Sequence, residues 1–407
     1  MRRATIFLFT VLTLQVATAQ TPSRVSPALP VDVKIPPNFP STENPIEFFD
    51  DYSWRTFIAL NWPAESDKRG VADPNKDFGE SAERVVWQTW KADHETFLDN
   101  GVKPKLWEEA DAGLMIKHYN QAGMRGEARG SLSDANGKYV RYEVRLNKVE
   151  FEDIRTRELY LRKNLPKQGA PTLTFPIGSI ELKAAWKEFT PTELTNDAMM
   201  RRFYTSKMEI VDPDGSARTA TLGLIGFHIV HRTPTRREWI WSTFEHIDNV
   251  SGSQSVLHGV PSPAPANRLL PKVDSANPPQ ANPTPVPVRR LKGVHPSTQE
   301  TNQLYRNLKG VKGTVWENYE LIATQWPTTP AATEQEFIKN FEGSYPAGAG
   351  RPFPGDRSSR SSIANLTMET TASFQRGTSC MKCHFRAGKQ AGTEFVWTVP
   401  LQAWPPQ

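Results

Sequence analysis

The chain's only two cysteines, Cys380 and Cys383, stand three residues apart in R-G-T-S-C-M-K-C-H-F-R-A-G, and His384 follows at once. Three residues is close to one helical turn, so both thiols leave the same side and an imidazole stands beside them. Thiol pairs at this spacing exchange disulfides, bind zinc or, with an adjacent His, attach haem c. A disulfide-exchange pair belongs after the first strand of a βαβ unit, early in its domain, and here the chain is nearly finished. Structural zinc needs four ligands, which two thiolates and one neighbouring imidazole do not supply. The run therefore reads as the attachment site of one haem c. Cys380 and Cys383 would bond the two vinyl groups, and His384 would take the iron from one side.

The other axial position has to be filled from upstream, because no Met or His follows His384. Met381, inside the motif, cannot turn to the iron. Met368 lies in I-A-N-L-T-M-E-T-T-A-S-F, which reads as a helix with Ile363, Leu366, Thr370 and Phe374 on its core stripe. Met368 falls off that stripe, beside Ala364, Thr371 and Ala372, where a thioether can meet a flat ring or plug a packing gap. In G-L-I-G-F-H-I-V-H-R-T-P-T-R-R-E-W-I-W-S-T-F-E-H, two strands flank a turn near Thr233 to Arg237. His228 and His231 then point to opposite faces. With Trp239 opposite His231, His228 shares a face with Ile240, Ser242, Phe244 and His246. His228 and His246 would stand ~13 Å apart, too far to serve one iron together. His246, with Glu245 and Asp248 nearby in sequence, is the preferred distal residue alongside Met368, and His94 is a third candidate. A sixth protein ligand suits electron transfer, whereas a His or carboxylate over an open iron suits peroxide chemistry.

Through Cys380, Cys383 and His384, the C-terminal portion resembles the c-type cytochromes. It departs from their common small class, in which the motif opens the domain and a distal Met lies well downstream. The late motif is more similar to the four-helix cytochrome c′ arrangement, whose iron often lacks a sixth protein ligand, although the strand-rich half has no counterpart there. The whole chain resembles large bacterial proteins of the cytochrome c family. That resemblance implies one covalently held haem c, transfer of single electrons and a redox partner protein. A haem enzyme with a small-molecule substrate, or a redox or gas sensor, is the alternative. Arg376, Lys382, Arg386 and Lys389 around the motif could steer an acidic partner.

What positions this motif is a long chain of 407 residues. It opens with Arg2 and Arg3, an apolar stretch from Ile6 to Val16, and Ala17-Thr18-Ala19, the pattern of a cleaved secretory signal over residues 1–19. The mature protein is expected to be periplasmic or secreted, with no membrane span. Losing Arg2 and Arg3 lowers the formal charge from +5 to +3, and no basic block suggests nucleic acid. Twelve tryptophans and 34 prolines point to bulky interior rings and stiff connections.

Helices are expected over 45–61, with an Asn44 cap and a Glu47 capping box, and over 81–98, with Trp87, Trp90, His94 and Phe97 on one face. From about Gly137 the period becomes two, in K-Y-V-R-Y-E-V-R-L, L-T-F-P-I-G-S-I-E-L-K-A-A-W, S-K-M-E-I-V and the two strands around Thr233, with a turn at Asp212 to Gly215. Consecutive strands without intervening helices favour an antiparallel sheet. Pro-rich residues 259–298 read as a linker or strap, and V-W-E-N-Y-E-L-I-A-T-Q-W as helix, with E-F-V-W-T-V as an extended tail. The expected fold is α+β: an antiparallel strand-rich N-terminal domain with flanking helices over 20–258, and a smaller, mainly helical C-terminal haem domain over 299–407.

Overall fold

The computed structural model describes residues 25–40, 43–109, 113–118, 134, 136, 138–167, 170, 172–212, 214–250, 290, 293–327, 329–341, 365–368 and 380–405. Side chains at 250, 382, 383, 389 and 390 lie outside this set, as do the signal segment and nearly all of the Pro-rich stretch before 290. The protein mixes α and β structure around one curled sheet. Helices are α1 Ile46–Leu60, α2 Asp93–Thr96, α3 Lys148–Thr156, α4 Pro191–Leu194, α5 Asp197–Met200, α6 Pro296–Arg306, α7 Glu334–Lys339, α8 Cys380–Ala391 and α9 Thr398–Gln402. Strands are β1 Lys91–Ala92, β2 Met115–Ile116, β3 Arg141–Leu146, β4 Ile180–Glu188, β5 Thr205–Val211, β6 Ala217–Thr233, β7 Arg236–His246 and β8 Tyr319–Gln325.

The long strand β6 organises the sheet. Along one edge it pairs with β4, which leads on to β3 and β1; its other edge takes β5 over its first half and β7 over its second. All pairings are antiparallel except the short β2–β5 contact. The turn before β6 forms as the sequence suggests: Gly215 N–H donates to Asp212 O at 2.8 Å with Gly215 at φ 85°, where a side chain would be strained.

Helix α1 is buried nearly all round rather than along one stripe. It lies on the sheet, with Phe57 stacked on Phe244 at 4.4 Å and the Ser53 hydroxyl bonded to Ser242 at 2.7 Å and Thr324 at 2.8 Å. Its outer side meets α6, where Trp54 stacks on Tyr305 at 5.2 Å, and the N-terminal strap, where Phe39 meets Phe48 at 5.1 Å. No side chain caps α1: Pro45, not Asn44, holds the N-cap position.

Two expected helices are otherwise. Over 81–98 the chain makes a single 3₁₀ turn at Val86–Thr89, the strand β1 and the short α2. Trp62 O takes the Val86 N–H and β3 takes β1, so tertiary hydrogen bonds outbid a helical period of aromatics. Likewise V-W-E-N-Y-E-L-I-A-T-Q-W is a 3₁₀ turn followed by β8, which completes the ladder beside β7. Among the described residues of 299–407, β8 joins the sheet beside β7 and α6 packs against α1. The tail expected to be extended, E-F-V-W-T-V, makes a turn at Glu394 and Phe395, and its last two residues, Thr398 and Val399, open α9.

Candidate haem site

The face of the sheet opposite α1 carries the C-x-x-C-H helix. Its floor can be read as rows across neighbouring strands. Glu181, Val230 and Trp241 form one row, Lys183, His228 and Thr243 the next, and Ala185, Gly226 and Glu245 the third. All nine side-chain positions share this face because alternation is unbroken between them.

Helix α8 stands over the first row. Met381 is fully buried and its N–H donates to Gln325 Oε1 at 3.3 Å, while Phe385 stacks on Phe341 at 4.9 Å. Ala387 is also buried and Gly388 packs so closely that a Cβ there would overlap the Phe341 ring. With these positions turned inward, Cys380 and His384 are left half-buried. Cys380 is in no disulfide. Cys383, one turn along, belongs to the same helix.

After α8 the chain reverses through Gly392, at φ 72°, and runs back so that Phe395 O accepts the His384 Nδ1–H at 2.8 Å. This reversal is pinned from below: Glu394 Oε1 accepts from Phe175 N at 2.7 Å, and Arg232 Nε lies 3.5 Å from Glu394 Oε2. Burial pushes the Glu394 carboxyl up to about 8, against the pull of Arg232. Trp241 walls the imidazole, with ring centres 4.6 Å apart and planes at 55°.

Burial lowers the His384 pKa to about 4; the positive fields of His228 and Lys183 act in the same direction and the Phe395 hydrogen bond opposes them. The ring is therefore neutral at pH 7 with its proton on Nδ1. Among the described residues nothing bonds Nε2, whose lone pair is the form a metal takes. The residues present thus fit a covalent haem: two cysteines three residues apart on one helix, and after them an imidazole oriented through its other nitrogen.

The second row is partly open. Lys183, His228 and their neighbours Val144, Glu181 and Val230 are half-buried, whereas Leu182, Ala184, Phe227 and Ile229 on the α1 side are fully buried. The Lys183 ammonium lies 5.2 Å from the Tyr142 ring centre. Beyond this row a short turn, Asn365 to Met368, closes the face. Asn365 Nδ2 donates to Thr243 Oγ1 at 2.8 Å, Leu366 N to Glu245 Oε1 at 2.6 Å, and Tyr142 OH to Thr367 O at 2.8 Å.

Met368 lies over the third row, 3.3 Å from where a Gly226 Cβ would be, buried among Val140, Tyr142, Ala185, Phe189, Phe203 and Ile225. Gly226 and Val230 are four residues apart, ~13 Å along the strand. The remainder of the expected Met368 helix lies outside the described residues.

His246 is set apart from His384. It shares the face of Phe244, not of Trp241, stacks on Phe203 at 3.8 Å, donates from Nε2 to Arg202 O at 3.0 Å and accepts from Asp248 N at 3.1 Å. Both nitrogens are engaged, and burial lowers its pKa. Asp248 itself is paired with Arg202 at 2.6 Å, and Glu245 with Arg290 at 2.6 Å.

The register of β6 against β7 also differs from the expected one. Trp239 does not face His231; Ile240 does, and Thr233 faces Arg236, so Arg232 alone stands against three β7 residues. Trp239 absorbs this bulge at φ 67°. A slip of one residue moves every side chain to the other face, which brings His228 onto the face of Trp241 and takes it away from His246. His94 lies on α2, which follows β1 at the sheet edge beyond β3, beside the Asp93–His118 pair, whose contact is 2.6 Å. Of the four basic residues around the motif, only the Arg386 side chain is described, and it is exposed.

Trp241, Lys183 and Tyr142 escaped the reading of the sequence, although alternation in E-W-I-W-S-T-F-E-H contains the signal for Trp241. Phe395 contributes a main-chain carbonyl, for which residue type carries none. No described helix is long and apolar enough to cross a membrane. Compared with known proteins, the chain matches no family model, no curated protein and no solved structure.

Proposed function

We propose that the chain is an exported c-type cytochrome that holds one haem through Cys380, Cys383 and His384 and passes single electrons to and from a redox partner protein. One observation carries the reading: the Nδ1–H of the motif's histidine is committed to Phe395 O, leaving Nε2 as a lone-pair donor beside the thiols. Bound there, haem supplies a reversible one-electron couple. Cys380 and Cys383 would hold it covalently, each by addition of its S–H across a vinyl double bond. Met381 and Phe385 are buried on the inner side of α8, and Met381 N–H is bonded to Gln325, which keeps the helix that carries the motif on the sheet. Trp241 and Phe395 keep water from one side of the imidazole. The Phe395 hydrogen bond raises the donor strength of His384.

The half-buried row of Lys183 and His228 favours a second reading, a haem enzyme or sensor whose iron is open to a small molecule. Export through a host able to attach haem c, followed by intact mass and the ferrous spectrum with and without carbon monoxide, tests both. A covalent haem whose spectrum ignores the gas is expected for the carrier. A gas-shifted spectrum selects the second reading, and a chain without covalent haem overturns both.

A further inference from the structure

Resting on the haem reading, we propose that His228 is the sixth ligand of the iron that His384 holds. The argument is one of rows. His384 stands over the row of Val230 and Trp241, and Met368 over that of Gly226. His228 occupies the row between them, ~7 Å along β6 from Val230 and the same from Gly226. It is therefore the nearer of the two donors to His384.

The bulge at Trp239 fixes its direction. With His231 opposite Ile240, His228 faces Thr243 on one side and Lys183 on the other, on the face that α8 covers. In this middle row Lys183 and His228 are half-buried in the midst of a packed sheet, while Thr243 beside them is buried. Met368, in contrast, is fully enclosed by apolar neighbours, and turning it to a metal would empty that cluster. His246 has no free nitrogen.

Lys183 gives the row a second function. Directly across from His228 and over the Tyr142 ring, its ammonium offers charge balance to the carboxylate side chains of a porphyrin, which have to be paired when taken out of water.

The test uses holoprotein carrying His228→Ala, His228→Gln and, for comparison, Met368→Ala. Intact mass first establishes covalent haem in each, which separates failure of the haem reading from failure of this proposal. The wild type is expected to show a low-spin ferric spectrum and a ferrous spectrum indifferent to carbon monoxide. Both His228 variants should lose the low-spin signal and gain a carbon monoxide shift, free imidazole should restore the low-spin signal in His228→Ala, and Met368→Ala should match the wild type. A high-spin wild type, low-spin His228 variants, or loss of the low-spin signal in Met368→Ala instead would overturn the proposal. If His228→Ala does not fold, His228→Gln decides alone. A wild type without covalent haem overturns the proposal together with the reading it rests on.

Discussion

The two faces of the sheet are built from the same strands and are finished in opposite ways. Under α1, Phe57, Trp54, Phe227 and Phe244 are sealed from water, and the polar atoms that enter, such as Ser53, are bonded on arrival. Under α8 the face holds Glu181, Lys183 and His228 in half-buried positions, polar side chains that a folding core would exclude. Folding free energy comes chiefly from the first face, since burial of apolar surface scales with area removed from water. The second face gives up some of that gain to keep polar groups beside a thiol-bearing helix. That difference can be broken experimentally at either face.

The largest effect is expected from Phe57→Ala. The ring touches Phe227, Phe244, Trp316 and Tyr319, and truncating a buried Phe costs about 3–5 kcal/mol. Urea unfolding followed by circular dichroism should show that loss, while the haem spectrum of the remaining folded protein stays that of the wild type. A changed spectrum in the folded protein would mean that the α1 face reaches the site.

Gly388→Ala should come next. Its Cβ would overlap the Phe341 ring and lie 2.9 Å from Glu394 O, so Phe341 must shift or α8 must lift. Overpacking of this kind costs about 1–3 kcal/mol. Because Glu394 precedes Phe395, the same variant should weaken the His384 hydrogen bond and shift the haem reduction potential. An unshifted potential would show that α8 and its returning loop move as one piece.

The pH dependence is smaller and its sign can be worked out. Burial raises Glu181 to about 7, Glu394 to about 8 and Glu150 well above the usual carboxylate range. Each raised group keeps its proton in the folded state after the unfolded chain has released it at about 4.5. Stability is lost as pH rises through the folded values. Between about pH 7 and about pH 9 unfolding free energy should fall by an amount on the order of 1–2 kcal/mol. Thermal melts of wild type and Glu394→Gln check it, and the variant should show a flatter profile. An equal slope in both would assign the effect to other groups.

These experiments probe features that the chain announces unevenly. The C-x-x-C-H motif and α1 are local, and spacing reveals them. The sheet strands are also local, through alternation. The register of β6 against β7 is not, because it depends on one tryptophan adopting φ 67°, a conformation that residue type argues against. That single bulge decides which histidine faces α8. In the same way, Val86–Ala92 and Tyr319–Gln325 carry helical spacings of apolar residues but are captured by strands distant in sequence. Their hydrogen-bond partners are invisible until the chain is folded. The Phe395 carbonyl, which orients His384, has no signature at all.

The smallest change tests the boundary between the second and third rows. Tyr142→Phe keeps the ring that Lys183 overlies and removes only the hydroxyl bonded to Thr367 O at 2.8 Å. One lost hydrogen bond of this kind costs about 0.5–1.5 kcal/mol. The Asn365–Met368 turn retains its bonds to Thr243 and Glu245, so it should stay docked and the low-spin spectrum should be unchanged. Chemical denaturation measures the first expectation and the ferric absorption spectrum the second. If this single hydroxyl alters the spectrum, the turn that carries Met368 is coupled to the iron, and the contrast drawn between the His228 row and the Met368 row fails at the point where the two are closest.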